Sequence, residues 1–515
     1  MTRRPCSVVL VVTLLTRCTS ASQPPMRSTP TLPHPAMTSL PATVTPRPSA
    51  TATALPALTP LPPITLSFHH LRIEYSTTSP WTRLTLETME GFLTSRLISL
   101  DGDRGTAEIS TSRTGHVLLQ LNRVEQDMWL EQPQSIGMTV DIALDPRSID
   151  RPLLFQQEKG AWFESTVRIY VLDQGSPRLI REARQTDELG RFSVDLSELQ
   201  PTHVEFERLA PPRMLWAIYY PWTAWDQAVD CTDHPLLTYE YNPDGTLTPE
   251  TFGQQIRETQ IREAKSAGID GFLVSWFDDP ISRSNLSLQL EAAEALDFRI
   301  AIYLEPLLDN ALNPDIERWI ADAIDQFGSH PAYMQVDNKP VIVVFSSQVA
   351  TRDTWREMFA DLAFHGHEAS YIAMSYDLAD LEVLDGLHQY AALYDVSQLP
   401  DLASTYATLA QSVRNYPLLE ESPRQRIFAA TVQPGFDACP YDPEVNFIVE
   451  RQEGAYYQST FDAAVRSDPD WIIITTWNEF GENTHIEPSE RYGDLYLRLT
   501  REFAQRWRRI SPADD

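Results

Sequence analysis

From Met214 onward, the chain alternates short apolar runs with longer segments whose apolar residues recur at helical spacing. The runs lack the polar alternation of a half-buried strand, which is typical of strands covered on both faces in a parallel sheet. Between the runs, residues such as Ile316, Ile320 and Phe327 lie on one face of a predicted helix. Eight strand–helix units in about 300 residues predict a (β/α)8 TIM barrel. The predicted strands are Met214–Tyr220, Gly271–Phe277, Arg299–Leu304, Pro340–Phe345, Tyr371–Tyr376, Ala391–Tyr394, Ile427–Gln433 and Trp471–Trp477.

Residues 64–208 carry a different pattern, in which apolar and polar residues alternate over short stretches. Leu71–Tyr75, Val117–Leu121 and Val167–Val171 are examples, and turn residues separate them. Many short alternating strands are typical of an antiparallel β-sandwich. The polar stretch Glu131–Gln134, with a break near residue 132, leaves open whether the region forms one module or two.

The chain is therefore predicted to be multidomain, with an all-β sandwich region at 64–208 and a barrel at 209–512. Before both, Arg3 and Arg4 precede the apolar stretch Val8–Leu15. A basic start followed by a short apolar stretch is typical of a secretory leader, and this stretch is too short to span a bilayer. We predict a signal peptide or lipoprotein leader over residues 1–21 and an exported protein, extracellular or at the cell surface.

The leader and the segment after it bear on how the protein is attached. Cys18 ends a stretch that resembles a bacterial lipoprotein box, although Arg17 stands where a small residue is expected. A lipid anchor at Cys18 and an ordinary cleavage near Ala21 are both compatible with the sequence. Residues 22–63 are rich in Pro, Thr and Ser and bury too little apolar surface to offset the entropy of ordering, so we predict a disordered tether.

The net charge of the chain limits the classes of molecule that it can bind. The chain has 71 Asp and Glu against 41 Lys and Arg, a net charge of -30. Nucleic acids and anionic membranes attract basic surfaces, so we exclude nucleic acid and allow membrane contact only through a lipid at Cys18. A neutral polysaccharide or glycan is compatible with this charge, and we predict a monomer that acts on one.

Carboxylates and aromatic residues follow the predicted barrel strands. Glu479 and Glu482 come after the last strand, three residues apart. Two carboxylates held close together differ in pKa, so one serves as a base and the other as an acid, as glycoside cleavage requires. Aromatic rings stack on sugars and polar groups bind hydroxyls. The predicted substrate-binding residues are Tyr219, Tyr220, Trp222, Trp276, Asp278, Glu305, Tyr376, Trp477, Asn478 and Glu487.

Simpler roles compete with several of these predictions. An aromatic residue at a strand end often packs the barrel rim, and a lone Asp there often caps a helix.

Cys231 and Cys439 follow the two strands that flank the eighth, so a disulfide and two free thiols are both open. The chain contains no CxxC pattern and no HExxH motif, and we predict no metal and no cofactor.

Several segments resemble glycoside hydrolase family 99 and its relatives. The resemblance spans roughly residues 213–510 and leaves the sandwich region outside. The segments that carry it are Trp477–Pro488 with Tyr492–Leu497, Ala217–Trp222, Gly268–Phe272, His330–Tyr333 and Asp337–Val341.

This resemblance implies an endo-acting (β/α)8 α-mannosidase or α-mannanase that needs no metal and retains configuration. By motif position, Glu479 would deprotonate the substrate's 2-hydroxyl, which attacks the anomeric carbon. Glu482 would protonate the leaving oxygen and later activate water. Asn483 stands where a glycine is more usual, which bears on fine specificity.

The predicted function is that of an exported hydrolase of internal α-glycosidic bonds in a mannose-containing polysaccharide or glycan. Three alternatives are compatible with the sequence: a non-catalytic surface glycan-binding protein, a related polysaccharide-processing barrel enzyme of different specificity, and a structural cell-wall protein.

Overall fold

The computed structural model describes residues 59–509, apart from short gaps. The predicted leader, Cys18 and nearly all of the tether lie outside the described residues. Within the described part, no helix is long and apolar enough to cross a membrane. The gaps are 61–63, 88–91, 101–104, 112–116, 124–133, 147–151, 161–162, 174–175, 186–188, 197–199, 207–208, 211, 222–232, 238–252, 309–310, 393–398, 420–425 and 439–446.

Two antiparallel sheets form a sandwich-like N-terminal region. A short pair, Thr59–Pro60 with Leu209–Ala210, lies beside them. The first sheet has the spatial order Ser176–Gln185, Ser165–Asp173, Ile64–Thr77, Ile136–Leu144 and Phe92–Leu100, and Thr202–Phe206 also pairs with Ile64–Thr77. The second has the order Leu189–Val194, Leu153–Lys159, Trp81–Glu87, Val117–Arg123 and Gly105–Thr111.

The alternating pattern of these strands produces the core between the sheets. In Val117–Arg123, every second side chain is buried, as a strand with one covered face requires. Tyr75 in the first sheet accepts a hydrogen bond from the Gln157 amide in the second at 3.0 Å, within this core. Strands from both sides of residue 132 pair within each sheet, so the sheets are continuous across the suggested break.

The C-terminal region is the predicted TIM barrel. Its eight strands are parallel, and pairing of Ile302 with Ile342 closes the sheet between the third and fourth strands. A Cβ at Gly271 in the second strand would meet the Trp216 ring at 2.3 Å, so only glycine fits this close approach. The barrel strands are Met214–Tyr219, Gly271–Trp276, Arg299–Leu304, Lys339–Val344, Ser370–Met374, Gly386–His388, Ile427–Val432 and Trp471–Ile474.

The sixth strand corrects one prediction. It comprises Gly386–His388 and pairs with the strands on either side, whereas Ala391 and Ala392 of the predicted strand are not in a strand. A Gly-Leu-His stretch has too few apolar positions to be recognised as a buried strand.

Helices follow the strands, with one exception. The stretch between the fifth and sixth strands is fully described and contains only the 3-10 helix Leu378–Glu382. The α-helices are Gln254–Ser266, Pro280–Ala295, Ile316–Phe327, Arg352–Phe364, Leu399–Asn415, Ala455–Arg466 and Leu495–Arg509. Further 3-10 helices are Ser347–Val349, Tyr416–Leu419 and Gln452–Gly454, and further short strands are Leu307–Leu308, Ala311–Leu312, Gln335–Val336, Phe436–Asp437 and Ile448–Val449.

Successive residues of each barrel strand belong to two different cores. Trp216 and Ile218 of the first strand belong to the core inside the barrel. Leu215, Ala217 and Tyr219 belong to the core between the strands and the surrounding helices. This parity decides which side chains at a strand end can reach the barrel mouth.

The sandwich covers the flank of the barrel that carries the 3-10 helices Leu378–Glu382 and Tyr416–Leu419. Phe68 and Leu93 of the sandwich form a buried cluster with Leu418 and Leu419 of the barrel. The Arg96 guanidinium also donates to the Leu419 carbonyl oxygen at 2.7 Å. The sandwich therefore occupies the position where a full helix would otherwise cover strands five and six.

Candidate active site

The loop after the eighth strand is buried and closed on itself. The Glu479 amide donates to Thr476 Oγ1 at 2.9 Å, and the Thr484 amide donates to the Glu479 carbonyl oxygen at 3.1 Å. The Asp437 amide, from the loop after strand seven, donates to the Glu482 carbonyl oxygen at 2.8 Å. These backbone contacts fix both predicted catalytic carboxylates.

Three glutamates come together at the mouth of the barrel. Glu479 and Glu482 are 8% and 5% exposed, and Glu305, at the end of the third strand, is 7% exposed. Ser275 Oγ, inside the second strand, donates to Glu305 Oε1 at 2.6 Å. Burial of three carboxylates together is costly unless some of them hold protons.

The pKa values of two of these glutamates are raised. Burial, together with the negative charge of Glu479, raises the pKa of Glu482 to about 8. Burial and the same charge raise the pKa of Glu305 to about 7, despite the hydrogen bond from Ser275. At neutral pH, Glu482 is therefore mainly protonated, which is the state that a general acid requires.

Two tyrosines connect to these carboxylates. The Tyr390 hydroxyl donates to Glu482 Oε2 at 3.2 Å and lies 3.0 Å from the Tyr220 hydroxyl. Burial and the charges of Glu305, Glu479 and Glu482 raise the pKa of Tyr220 well above its ordinary value. Tyr220, whose role in substrate binding stays a prediction, therefore lies near the three acids, whereas Tyr390 was not predicted because the sixth strand was misplaced.

Asn478 holds the first strand against the eighth. Its Oδ1 accepts from the Tyr220 amide and its Nδ2 donates to the Tyr220 carbonyl oxygen, both at 2.8 Å. Since the amide side chain is used by the backbone, Asn478 positions Tyr220. Trp477 is fully buried, with its ring 5.2 Å from Phe272 in the outer core.

The loop after the eighth strand is held by a buried group that consists of Arg451, His485 and Asp233. Arg451 Nη2 donates to the carbonyl oxygens of Asn483 and His485, each at 2.8 Å. Burial and the nearby Arg451 charge lower the pKa of His485 to about 3, so the imidazole is neutral and its Nε2 donates to Asp233 at 3.0 Å. Asn483 has φ +48°, a left-handed conformation that Asn and Gly tolerate better than other residues. This conformation explains how Asn replaces glycine at this position.

Three further predicted substrate-binding residues lie behind the strands. Tyr219 is 0% exposed and donates to Gln260 Oε1 at 2.9 Å, and Gln260 in turn donates to Glu487 at 2.7 Å. Trp276 packs edge-on against Trp319 in the helix layer. These residues brace the barrel from outside, so Tyr219, Trp276 and Glu487 are not among our proposed substrate contacts.

Asp278 also has a structural environment. Its side chain is 1% exposed, and it accepts hydrogen bonds from Arg283 at 2.6 Å and from Arg318 at 2.9 Å. The adjacent Asp279 caps the following helix through the Ile281 amide at 2.8 Å. Both aspartates are thus occupied by the helix layer, away from the glutamates.

The remaining predicted residues divide into two groups. Tyr376 is half-buried and lines a cavity against the sandwich. Trp222, Cys231 and Cys439 lie outside the described residues, so the disulfide stays a prediction. Within the described residues, no three His, Cys, Asp or Glu side chains are placed to hold a metal ion.

Comparison with known proteins gives a consistent result. The family model for glycosyl hydrolase family 99 matches residues 241–505, just over half of the chain. The chain is 22% identical to a glycoprotein endo-α-1,2-mannosidase of Rattus norvegicus over 399 residues, which are 65% of this chain and 83% of that protein. It is 23% identical to an ascus wall endo-1,3-α-glucanase of Schizosaccharomyces pombe over 262 residues, covering 47% and 56%.

Among solved structures, a family 99 endo-α-mannosidase from Bacteroides thetaiotaomicron is similar with a TM-score of 0.46 and 20% identity, covering 57% of this chain and 97% of that one. The family match includes the loop of Glu479 and Glu482 and excludes the sandwich. The chain is a glycoside hydrolase that belongs to glycosyl hydrolase family 99.

Proposed function

We propose that this enzyme cleaves internal α-glycosidic bonds in a mannose-containing polysaccharide or glycan. The observation that carries the proposal is the buried cluster of Glu305, Glu479 and Glu482, in which one acid is held protonated by the charge of another. The names of the relatives support an internal α-linkage, since both the mannosidase and the glucanase are endo-acting.

In the proposed first step, the Glu479 carboxylate accepts the proton of the substrate's 2-hydroxyl. The oxygen O2 attacks the anomeric carbon as the bond to the leaving oxygen breaks, and Glu482 gives its proton to that oxygen. In the second step, Glu482 takes a proton from water, the water attacks the anomeric carbon, and O2 recovers its proton from Glu479. Two displacements retain the configuration.

Stereochemistry favours a mannoside for this route. In an α-mannoside the 2-hydroxyl and the leaving oxygen lie on opposite faces of the ring, so O2 can displace the leaving oxygen directly. In an α-glucoside they lie on the same face, and a glucanase would need a carboxylate or an activated water molecule to attack the anomeric carbon instead. An α-1,3-glucan is therefore the second candidate substrate, favoured by the glucanase relative.

The test is digestion of α-mannan and α-1,3-glucan by the wild type and by Glu479→Gln, with products followed by NMR. We expect shortened α-mannan chains whose first-formed reducing ends are α-anomers, and no product from the variant. Equal hydrolysis by the variant would overturn the role of Glu479, and binding of both polymers without hydrolysis by the wild type would favour a non-catalytic glycan-binding protein.

We further propose export to the cell surface, supported by the apolar leader and the Pro/Thr/Ser-rich tether. Fractionation of cells that express the full chain tests this point. Labelling with a radioactive fatty acid, compared between the wild type and Cys18→Ala, distinguishes a lipid anchor from ordinary cleavage.

A further inference from the structure

A cavity of about 960 Å³ lies between the sandwich and the barrel. One wall consists of residues from the sandwich strands Phe92–Leu100 and Gly105–Thr111. The opposite wall consists of Ser347, Tyr376, Gln389 and their neighbours, which follow the fourth, fifth and sixth barrel strands. The volume is at the upper end of the range for small-molecule sites, about 300–1,000 Å³.

The position of the cavity connects it with the active site. Gln389 lines the cavity, and the next residue, Tyr390, donates its hydroxyl hydrogen bond to Glu482. The lining residues Ser347, Tyr376 and Gln389 follow the carboxyl ends of their strands, the end of the barrel at which the three glutamates lie. One wall of the cavity is therefore one residue along the chain from the hydrogen-bond partner of Glu482.

The chemistry of the lining selects a class of ligand. Hydroxyl and amide groups suited to sugar hydroxyls come from both walls. Five carboxylates and two guanidinium groups line the cavity, and Arg352 and Arg356 are already paired with Asp377, Asp380 and Glu382. The excess negative charge disfavours anionic ligands. The uncharged polar groups include Ser99, Thr106, Asn122, Ser347, Gln348 and Gln389.

Apolar surface is present beside these polar groups. Ile98 on the sandwich wall is 39% exposed, and the half-buried ring of Tyr376 lies on the barrel wall. Hydroxyl-binding groups combined with an aromatic ring and an aliphatic side chain match the two kinds of surface on a sugar ring.

We propose that this cavity is a second carbohydrate-binding subsite, formed jointly by sandwich and barrel, that holds an uncharged stretch of the polysaccharide whose bond is cleaved at Glu479 and Glu482. This inference rests on the proposed function, because the ligand is the continuation of the substrate chain. It gives the sandwich a role in binding long substrates.

Thr106→Trp tests the subsite from the sandwich wall. Thr106 is exposed on the edge strand, so an indole would enter the cavity without disturbing the core. We expect the ratio of KM for α-mannan to KM for the shortest oligosaccharide that the enzyme cleaves to rise about five- to tenfold, as for loss of one or two hydrogen bonds. Ser193→Trp, exposed on the opposite edge strand of the same sheet, is the matched control and should leave the ratio unchanged.

A binding experiment separates this inference from the proposed function. Glu482→Gln protein, with and without Thr106→Trp, is run through native gels that contain α-mannan or α-1,3-glucan. Weaker retardation by the polymer in the Thr106→Trp protein is expected. If Thr106→Trp misfolds, Tyr376→Ala opens the same subsite from the barrel wall.

The outcomes are distinct. An unchanged KM ratio together with unchanged retardation would overturn the subsite, whatever the wild type hydrolyses. Retardation that depends on Thr106, in a protein that hydrolyses neither polymer, would support the subsite and overturn the proposed function.

Discussion

Two groups of carboxylates in this molecule have pKa values raised by burial, but they differ in the charged groups around them. At the barrel mouth, the groups that shift the pKa of Glu482 besides burial are two carboxylates and a phenol. Beside the sandwich, burial and Asp380 raise the pKa of Asp377 to about 7, while Arg352 lies 2.8 Å from Asp377 and opposes the rise. Burial is the largest cause of the raised pKa of Asp377, and the negative charge of Asp380 adds to it.

The difference lies in the partners of the carboxylates. Asp377 also accepts from the amides of Ile109 and Ala379, at 2.7 and 2.9 Å, so its oxygens join the sandwich to the barrel. Glu482 accepts from Tyr390 and is otherwise influenced by acids of the same sign. A raised pKa therefore marks a site of chemistry when the charge is uncompensated, and a site of docking when a cation and backbone amides compensate it.

The largest expected effect is a loss of kcat when a carboxylate at the barrel mouth is neutralised. Glu482→Gln removes the proposed acid, and we expect kcat to fall by about 10²–10⁴. The control is Asp278→Asn, a buried carboxylate paired with two arginines outside the glutamate cluster, which should retain most of the wild-type kcat. Hydrolysis of α-mannan by folded variants is the measurement. Similar losses in both variants would contradict the distinction.

Removing the Arg352 guanidinium should lower the free energy of unfolding. Arg352→Met leaves Asp377 and Asp380 without their guanidinium and also removes the hydrogen bond to the Ala107 carbonyl oxygen at 2.6 Å. We expect a loss of about 2–4 kcal/mol in the free energy of unfolding, since the group is largely buried. Arg356→Met, in the same helix and 44% exposed, should cost less than about 1 kcal/mol. Urea denaturation compares the two, and equal losses would argue against a special role for Arg352.

The charge of Glu482, which no cation among the described residues compensates, should also lower the free energy of unfolding at high pH. The folded pKa of Glu482 is about 8, above the value of 4.5 for an unperturbed group, so the folded state binds more protons between these pH values. Stability therefore falls as pH rises through this window. Glu482→Gln should be more stable than wild type by about 1–3 kcal/mol at pH 9 and no more stable at pH 4. Thermal melts at both pH values test this, and a pH-independent difference would contradict it.

The smallest effect concerns Tyr390. Because the proposed acid, Glu482, must be protonated to act, wild-type kcat should decline above pH of about 8. The Tyr390 hydrogen bond lowers the pKa of Glu482, so Tyr390→Phe should move this decline upward by about 0.5–1 pH unit. Tyr457→Phe, buried against Thr500 at 2.9 Å, is the control. A shift in the opposite direction would mean that another group limits activity at high pH.

Much of the fold could be predicted because buried strands and amphipathic helices have strong patterns. Trp471–Ile474 is such a strand, and Ile316–Phe327 is such a helix. The sixth strand could not be recognised because three residues carry too little pattern. Tyr390 follows that strand, so its place near Glu482 was missed as well.

Within the site, the sequence indicates which residues follow each strand but does not indicate which way their side chains point. Tyr219 and Tyr220 are adjacent and equally aromatic, yet Tyr220 lies among the acids and Tyr219 contacts Gln260 behind the strand. Strand parity would have separated them, since Trp216 and Ile218 lie inside the barrel and share the parity of Tyr220. The pairings of Asp278 with Arg283 and Arg318 depend on helix packing, which sequence spacing alone does not reveal.

The 3-10 helix Tyr416–Leu419, which packs against the sandwich, has a consequence for how the protein unfolds and for how it can be divided. A barrel expressed from residue 209 onward would expose Leu418 and Leu419, which the sandwich residues Phe68 and Leu93 now cover. Such a fragment would tend to aggregate, and the whole protein should melt in one calorimetric transition. We therefore expect the sandwich and the barrel to unfold as one cooperative unit, so that another enzyme could not take up this sandwich without the matching barrel surface.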